Sequence, residues 1–253
     1  MSRTKAPPKS RLDVALVERG LADSRAKAQA LILAGVVYSG ERRLDKPGLS
    51  IAGDLPLELR GQDHPWVSRG GLKLARALDH FAIDPAGGTW LDVGASTGGF
   101  TDVLLARGAG KVYAVDVGHG QLAWKLRQDA RVVVLERTNA RHLSRADIPD
   151  ALDGIVCDAS FIGLEVILPA PLALTAPAAR LVALIKPQFE VGPAQVGKGG
   201  IVRDPDLHRE VCARIADWLS RQPGWAVLGV TDSPITGADG NREFLIGAKR
   251  GAD

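Results

Sequence analysis

From Thr89 to the C-terminus, strand patterns alternate with helix patterns, and few folds accept that order. TWLDVGA is a strand entering a glycine turn, FTDVLLARG is helical with a glycine stop, and KVYAVDV is a second strand. QLAWKLRQD reads as helix, VVVLERTNA and DGIVCDAS as strands, VILPAPLAL as helix and LVALIKP as strand. DLHREVCARIADWLSRQ follows as a helix, and WAVLGVTDSP and EFLIGAKR close the chain as a hairpin. The pattern predicts an α/β, Rossmann-like domain: a mostly parallel, doubly wound sheet with a late antiparallel strand.

A smaller α+β unit precedes it. Residues 1–10 are basic, contain paired prolines and read as a flexible arm. In residues 11–60, Leu12, Ala15, Leu16 and Leu21 mark a short amphipathic helix closed by Gly20. Ser24 is the expected N-cap of a second helix, Arg25 to Ala34, closed by Gly35. VVYSGERRLDKPG reads as strand, turn and strand, and DLPLELR adds another, which together predict one small curled sheet. Glycine, proline and polar residues make 61–71 an interdomain linker. Residues 72–250 form the larger domain, opening with the helix LKLARALDHF.

Charge separates the two parts. Net charge is +3 over 253 residues, yet residues 1–60 hold 11 Lys/Arg against 7 Asp/Glu, and the rest hold 21 against 22. A localised cationic excess is the footprint of a polyanion partner. Cys157 and Cys212 are far apart, with neither disulfide-framework nor zinc spacing, so no metal is expected and a reducing cytoplasm is. No run approaches the ~20 apolar residues of a membrane span, and no secretory pattern opens the chain.

Two features carry chemistry. In LDVGASTGGFTDVLL, Gly94, Gly98 and Gly99 lie between the first strand and its helix, where a nucleotide-type ligand binds. The spacing is not G-x-G-x-x-G, which argues against a dinucleotide. Asp92-x-Gly94-x-x-x-Gly98-Gly99 resembles motif I of S-adenosylmethionine-dependent methyltransferases, and Ser96, Thr97 and Phe100 complete the turn. Asp116 ends the second strand, where an acid accepts ribose hydroxyls. Asn139, after the third strand, would border the adenine. A ligand-free αβ turn is the plainer alternative.

The second feature is LIKPQFEVG, where an apolar strand ends in Lys186. Either that lysine snorkels out of the strand end, or a cleft holds it for chemistry. Asp158 ends the fourth strand on the same sheet edge, Lys73 lies in the helix before the first strand, and Glu243 opens the last strand. Lys-Asp-Lys-Glu suits methyl transfer to a weakly acidic hydroxyl. Lys186 would be the general base; Lys73 and desolvation push its pKa down, while Asp158 and Glu243, which would hold the ammonium groups, push it up, and the sequence leaves the net sign open. Taken singly, each of the four reads as a surface ion pair.

WVSRGGLKL, LDVGASTGGFTDVLL, VDVGHGQLAWKLR, VVVLERTNAR, CDASFI, LIKPQFEVG and GNREFLI together resemble the TlyA family. These are bacterial rRNA 2′-O-methyltransferases, also called hemolysin A-like, with a catalytic domain similar to FtsJ. The resemblance runs from about Arg11 to Ile246. It implies a Rossmann-like methyltransferase domain and S-adenosylmethionine as cofactor. It places the catalytic tetrad on Lys73, Asp158, Lys186 and Glu243, and the target on a cytidine ribose in 16S and/or 23S rRNA within ribosomal subunits. The fourth-strand motif departs slightly, reading Asp158-Ala159-Ser160-Phe161 for the usual D-L-S-F. The N-terminal unit is similar to the RNA-binding domain first named for small-subunit ribosomal protein 4. That likeness implies phosphate contacts by Arg11, Arg25, Lys27, Arg42, Arg43 and Lys46. His64-Pro65-Trp66-Val67 falls at the family's linker, which implies coupling of RNA and cofactor binding. A cytoplasmic monomer without a membrane partner is expected.

Other residues are given plainer roles. His119 reads as a loop histidine and Trp66 and Trp124 as packing residues, while Val191 to Asp204 reads as a mobile lid over the RNA, with a plain surface loop as the alternative. Three competing functions fit less well. A membrane-active cytolysin lacks a span or an amphipathic cationic helix. A silent RNA-binding protein has no need of Lys186. A small-molecule methyltransferase has no need of a basic appendage.

Overall fold

The computed structural model describes residues 9–22, 24–60, 64–192, 195–237 and 240–252. It divides into two compact units, Met1–Arg69 and Gly70–Asp253. Of the segments named above, residues 1–8 of the arm, 61–63 of the linker and 193–194 of the lid lie outside the described residues.

The N-terminal unit contains β1 (Lys9–Arg11), α1 (Leu12–Glu18), α2 (Arg25–Leu33), β2 (Val37–Ser39), β3 (Arg42–Arg43), β4 (Ser50–Ala52) and β5 (Glu58–Leu59). Ser24 caps α2 as expected, its Oγ accepting from Lys27 N at 3.2 Å. Gly20 and Gly35 follow the two helices at φ +69° and +76°, the left-handed geometry that glycine adopts without strain. Leu12, Leu16, Ala28, Ile32, Val37, Leu44 and Ile51 form its core. Two expectations change. Lys9 and Ser10, read as arm, pair with Ala52 and Ile51, because β4 offers backbone partners that a sequence pattern does not reveal. The single curled sheet is two: a β1–β4 ribbon and a three-stranded β3-β2-β5 sheet.

The C-terminal unit runs α3 (Gly70–His80), β6 (Thr89–Val93), α4 (Gly99–Ala106), β7 (Lys111–Val115), α5 (Trp124–Arg127), β8 (Val132–Leu135), β9 (Leu152–Cys157), α6 (Leu164–Ile167), α7 (Pro169–Ala173), β10 (Thr175–Ile185), α8 (Pro187–Glu190), α9 (Pro205–Ser220), β11 (Trp225–Asp232) and β12 (Phe244–Arg250). Seven strands form one sheet in the order β11-β12-β10-β9-β6-β7-β8. The β6–β7, β7–β8, β6–β9 and β9–β10 pairs are parallel, and β12 runs antiparallel to β10 and β11. Helices cover the sheet, so its central strands are apolar on both faces. Trp90 of β6 faces Gly154 of β9, and its indole occupies the space a side chain at Gly154 would need.

Two predicted helices are shorter than their patterns. VILPAPLAL breaks at Leu168 into α6 and α7, since Pro169 lacks the N–H that would continue a helix. QLAWKLRQD yields only Trp124–Arg127, with Leu126 its one buried residue. The chain leaves β6 for β7 and β8 on one side, then returns to β9 on the other. That reversal opens a crevice at the C-terminal ends of β6 and β9, where ligands bind in such sheets. Asp158 N donates to Val93 O there at 3.0 Å, tying the two strand tips together.

Candidate active site

The glycine turn follows β6. Gly94 and Gly98 have φ of +81° and +94°, and Ser96 is held at +48°. A Cβ at Gly94 would lie 3.1 Å from the Ala159 backbone, so the turns after β6 and β9 meet closely. Asp116, at the tip of β7, accepts from Ser96 N at 2.8 Å through Oδ2 and from Gly118 N at 2.7 Å through Oδ1. Two amides thus fix a half-buried carboxylate beside the turn, an arrangement that suits a polyhydroxylated ligand such as ribose. Beside it Val117 is exposed, which leaves an apolar side chain at the crevice. Gly99 begins α4, Thr97 and Phe100 are buried, and the Thr97 carbonyl accepts from Ala123 N. These residues shape the turn from within.

Asp92 does so as well. It is fully enclosed, and its Oδ2 accepts from Thr101 N at 2.9 Å and Thr101 Oγ1 at 2.7 Å. Burial pushes its carboxyl up to about 7, against the pull of the Thr101 bonds. Asn139 Oδ1 caps a single 3₁₀ turn at Arg141 N, 3.1 Å away.

Four charged side chains form a row at the tips of β9 and β10. Lys186 Nζ lies 2.6 Å from Asp158 Oδ1. It also donates to Ser160 Oγ at 2.9 Å and to the Asp158 carbonyl at 3.2 Å. Lys73, on α3, lies 3.6 Å from Asp158 Oδ2 and 2.6 Å from Glu243 Oε2. The row is therefore Lys186, Asp158, Lys73, Glu243, with each inner member between two opposite charges. Lys73, Lys186 and Glu243 are all buried. Asp158 keeps 20% of its side chain exposed, so the row opens to solvent at the acid. Burial would raise the Asp158 carboxyl, but Lys73 and Lys186 outweigh it and hold it below the ordinary carboxylate range. Lys186 therefore does not snorkel: it is enclosed, with two hydrogen bonds and an ion pair to Asp158.

Phe161 is 89% exposed beside this row, with φ +66°, and its ring lies 5.0 Å from that of Phe189. Trp124 is also exposed, which corrects its reading as a packing residue: α5 buries only Leu126. Trp66 is half-buried. His119 bonds Glu136 Oε2 at 2.8 Å on the surface, as a loop histidine does.

In the N-terminal unit, Asp13 is fully enclosed and gathers Arg11 Nε at 3.0 Å, Arg25 Nε at 2.9 Å and Gln29 Nε2 at 3.0 Å. Both arginines keep about half their side-chain surface, 51% and 56%. Asp13 N bonds the Pro47 carbonyl, which brings the turn after Lys46 to the same end of α1. Lys27, Arg42 and Lys46 are exposed, and Arg43 is half-buried.

The doubly wound sheet, the glycine turn and the buried Lys-Asp-Lys-Glu row define a group-transfer enzyme that binds a nucleoside-bearing cofactor. Residues 66–250 match the FtsJ-like methyltransferase family and residues 10–52 the S4 domain. The chain belongs to the FtsJ-like methyltransferase family and carries an S4 domain at its N-terminus. It is 48% identical to the 16S/23S rRNA (cytidine-2′-O)-methyltransferase TlyA of Mycobacterium tuberculosis, over 94% of this chain and 89% of that one. It is 42% identical to hemolysin A of Brachyspira hyodysenteriae, over 93% and 98%. A solved structure from Streptococcus thermophilus, provisionally named a hemolysin, aligns with a TM-score of 0.73 at 42% identity, covering 97% of this chain and 90% of that one.

Sequence reasoning missed Ser160 as a partner of Lys186, although it stands two residues after Asp158. It also missed the Asp13 node, for which Arg11-Leu12-Asp13 was the available signal.

Proposed function

We propose that this chain is an S-adenosylmethionine-dependent 2′-O-methyltransferase that modifies a cytidine ribose in rRNA, within ribosomal subunits and in the cytoplasm. The buried Lys186–Asp158–Lys73–Glu243 row carries the reading, because a strand-tip lysine enclosed beside the cofactor turn has no structural purpose that an apolar residue would not serve better. The S4 domain and the TlyA relative's rRNA substrate support the target. The exposed guanidiniums on Asp13 supply phosphate contacts. No helix of the described residues is long and apolar enough to cross a membrane, which gives the cytolysin reading no support.

The residues at the β6 and β7 tips fit the cofactor. Gly94, Ser96 and Gly98 shape the turn that would hold its amino-acid part, and Asp116 would hold its ribose. When bound, the cofactor supplies an electrophilic methyl group. A ribose hydroxyl must shed its proton as that methyl arrives. Lys186, in its amine form, takes the proton. Asp158 aims the lysine, Lys73 raises the local positive potential, and Glu243 fixes Lys73.

The test is transfer of labelled methyl from S-adenosylmethionine to ribosomal subunits that lack the modification, mapped by 2′-O-methyl-sensitive primer extension. Label on one cytidine ribose is expected. Label on a base, or on small molecules and not on rRNA, would overturn the substrate assignment.

A further inference from the structure

Glu243 precedes β12 and lies under the loop 233–243. A side chain at Gly237 would overlap the Glu243 carboxylate, with its Cβ 2.5 Å from Cδ and 3.2 Å from Cγ. The backbone at Gly237 thus forms the wall against which the carboxylate rests while Oε2 reaches Lys73 at 2.6 Å. Gly237 is not in the left-handed region, so conformation does not require glycine there. Space does.

The wall is itself held. Gly237 N donates to the Asn241 carbonyl at 2.9 Å, and Gly240 N donates to the Gly237 carbonyl at 3.3 Å. Asn241, 3% exposed, accepts from Val202 N at 3.1 Å and donates to the Gly200 carbonyl at 3.0 Å. Ser233 N donates to the Glu243 carbonyl at 3.0 Å and closes the loop's base. Residues 233–237 and 240–243 are thus tied to each other and to the glycine-rich segment before α9.

We propose that Gly237 is a positioning residue for Glu243 and, through it, for Lys73. An added methyl group displaces the carboxylate and takes from Lys73 its 2.6 Å ion pair with Glu243. Lys73 then moves toward Asp158, weakens the hold of Asp158 on Lys186, and loosens the row from its far end. The displaced carboxylate has somewhere to go. A cavity of about 240 Å³, lined by Asp232, Ser233, Ile235, Thr236, Arg242 and Glu243, adjoins it, so the substitution need not unfold the protein. The inference rests on the methyltransferase reading for its kinetic consequence, but not for its structural one.

The test is Gly237→Ala in the full chain, read in two ways. A crystal structure should show the Lys73 Nζ to Glu243 Oε2 contact broken with the fold intact. Single-turnover transfer to ribosomal subunits should fall at least tenfold at saturating substrate, with KM for subunits and cofactor within twofold of wild type. An unbroken contact, a wild-type rate, or a change confined to KM would overturn the proposal. Glu243→Asp in the Gly237→Ala background covers the case of an unstable single variant. Aspartate is one methylene shorter and makes room for the methyl group, so the double variant should match Glu243→Asp alone. A further multiplicative loss would contradict a shared mechanism. Should wild type itself transfer no methyl to subunits, the proposed function fails, and the crystallographic distance still decides the role of Gly237.

Discussion

In the N-terminal unit, Asp13 gathers two arginines, and in the C-terminal unit, Asp158 gathers two lysines. Both acids lie below the usual carboxylate range: Asp13 chiefly through its hydrogen bond from Arg11, Asp158 because its two lysines overcome burial. The cations differ. Arg11 and Arg25 hold Asp13 and keep about half their surface exposed, whereas Lys73 and Lys186 keep 10% and 8%. Guanidinium stays charged and offers a second edge to a phosphate while one edge binds the acid. An enclosed ammonium has no edge to offer outward, but it can lose a proton. In the proposed function, the same acid-with-two-cations design serves binding in one unit and proton transfer in the other.

The comparison breaks hardest at Lys73. Lys73→Met leaves Glu243 and Asp158 facing each other without their shared cation. Removing one partner of a buried ion pair costs about 3–5 kcal/mol of stability. Urea unfolding should show that loss, and methyl transfer should vanish. Retention of both would mean that the row is ornamental.

Arg25→Lys sharpens the other side. It keeps the charge but loses the guanidinium whose Nε bonds Asp13 and whose free edge, in the proposed function, meets phosphate. RNA affinity should fall roughly tenfold, as expected for one charge-assisted hydrogen bond, while the salt dependence of binding stays unchanged. Wild-type affinity for the lysine variant would reduce Arg25 to a diffuse charge. Arg42→Ala removes a cation from an exposed strand and has a smaller expected effect. The slope of log affinity against log salt should fall by about 0.7–0.9, with no change in catalytic rate.

The acids also separate by pH. Asp13 has a depressed folded pKa, so its stabilisation is present above about pH 4 and is lost as pH falls. Asp92 has no ion pair among the described residues and titrates near 7 in the folded chain, above its unfolded value near 4. Its sign is opposite: stability is lost as pH rises from about 4 to 7, then levels off. Asp92→Asn should flatten that window in denaturant titrations between pH 5 and 8, and an unchanged slope would place the burial cost elsewhere.

Much of this was legible because it is local. Gly94, Gly98 and the acids ending β7 and β9 announce themselves by standing where apolar strands stop. Lys186 was conspicuous for the same reason, and Ser24 marked its helix through a cap that spans three residues. Ser160 and Gly237 were not legible, because their roles depend on side chains brought close by folding. Gly237 is one glycine among 29, and only the position of a carboxylate six residues on distinguishes it. Trp124 was misread because its helix shrinks to one turn and buries Leu126 instead. Lys9 and Ser10 were assigned to the arm because strand pairing leaves no trace in so short a segment.

Lys186→Arg asks the central question most directly. Arginine preserves the positive charge beside Asp158 but cannot give up a proton at accessible pH. Single-turnover methyl transfer to unmodified ribosomal subunits would be compared for wild type, Lys186→Arg and Lys186→Ala, after checking that each binds cofactor and subunits. If Lys186 accepts the ribose proton, both variants lose roughly 10²–10⁴-fold in rate. An arginine variant within tenfold of wild type would show that charge alone suffices, and that the lysines of the C-terminal unit work as the arginines of the N-terminal unit do.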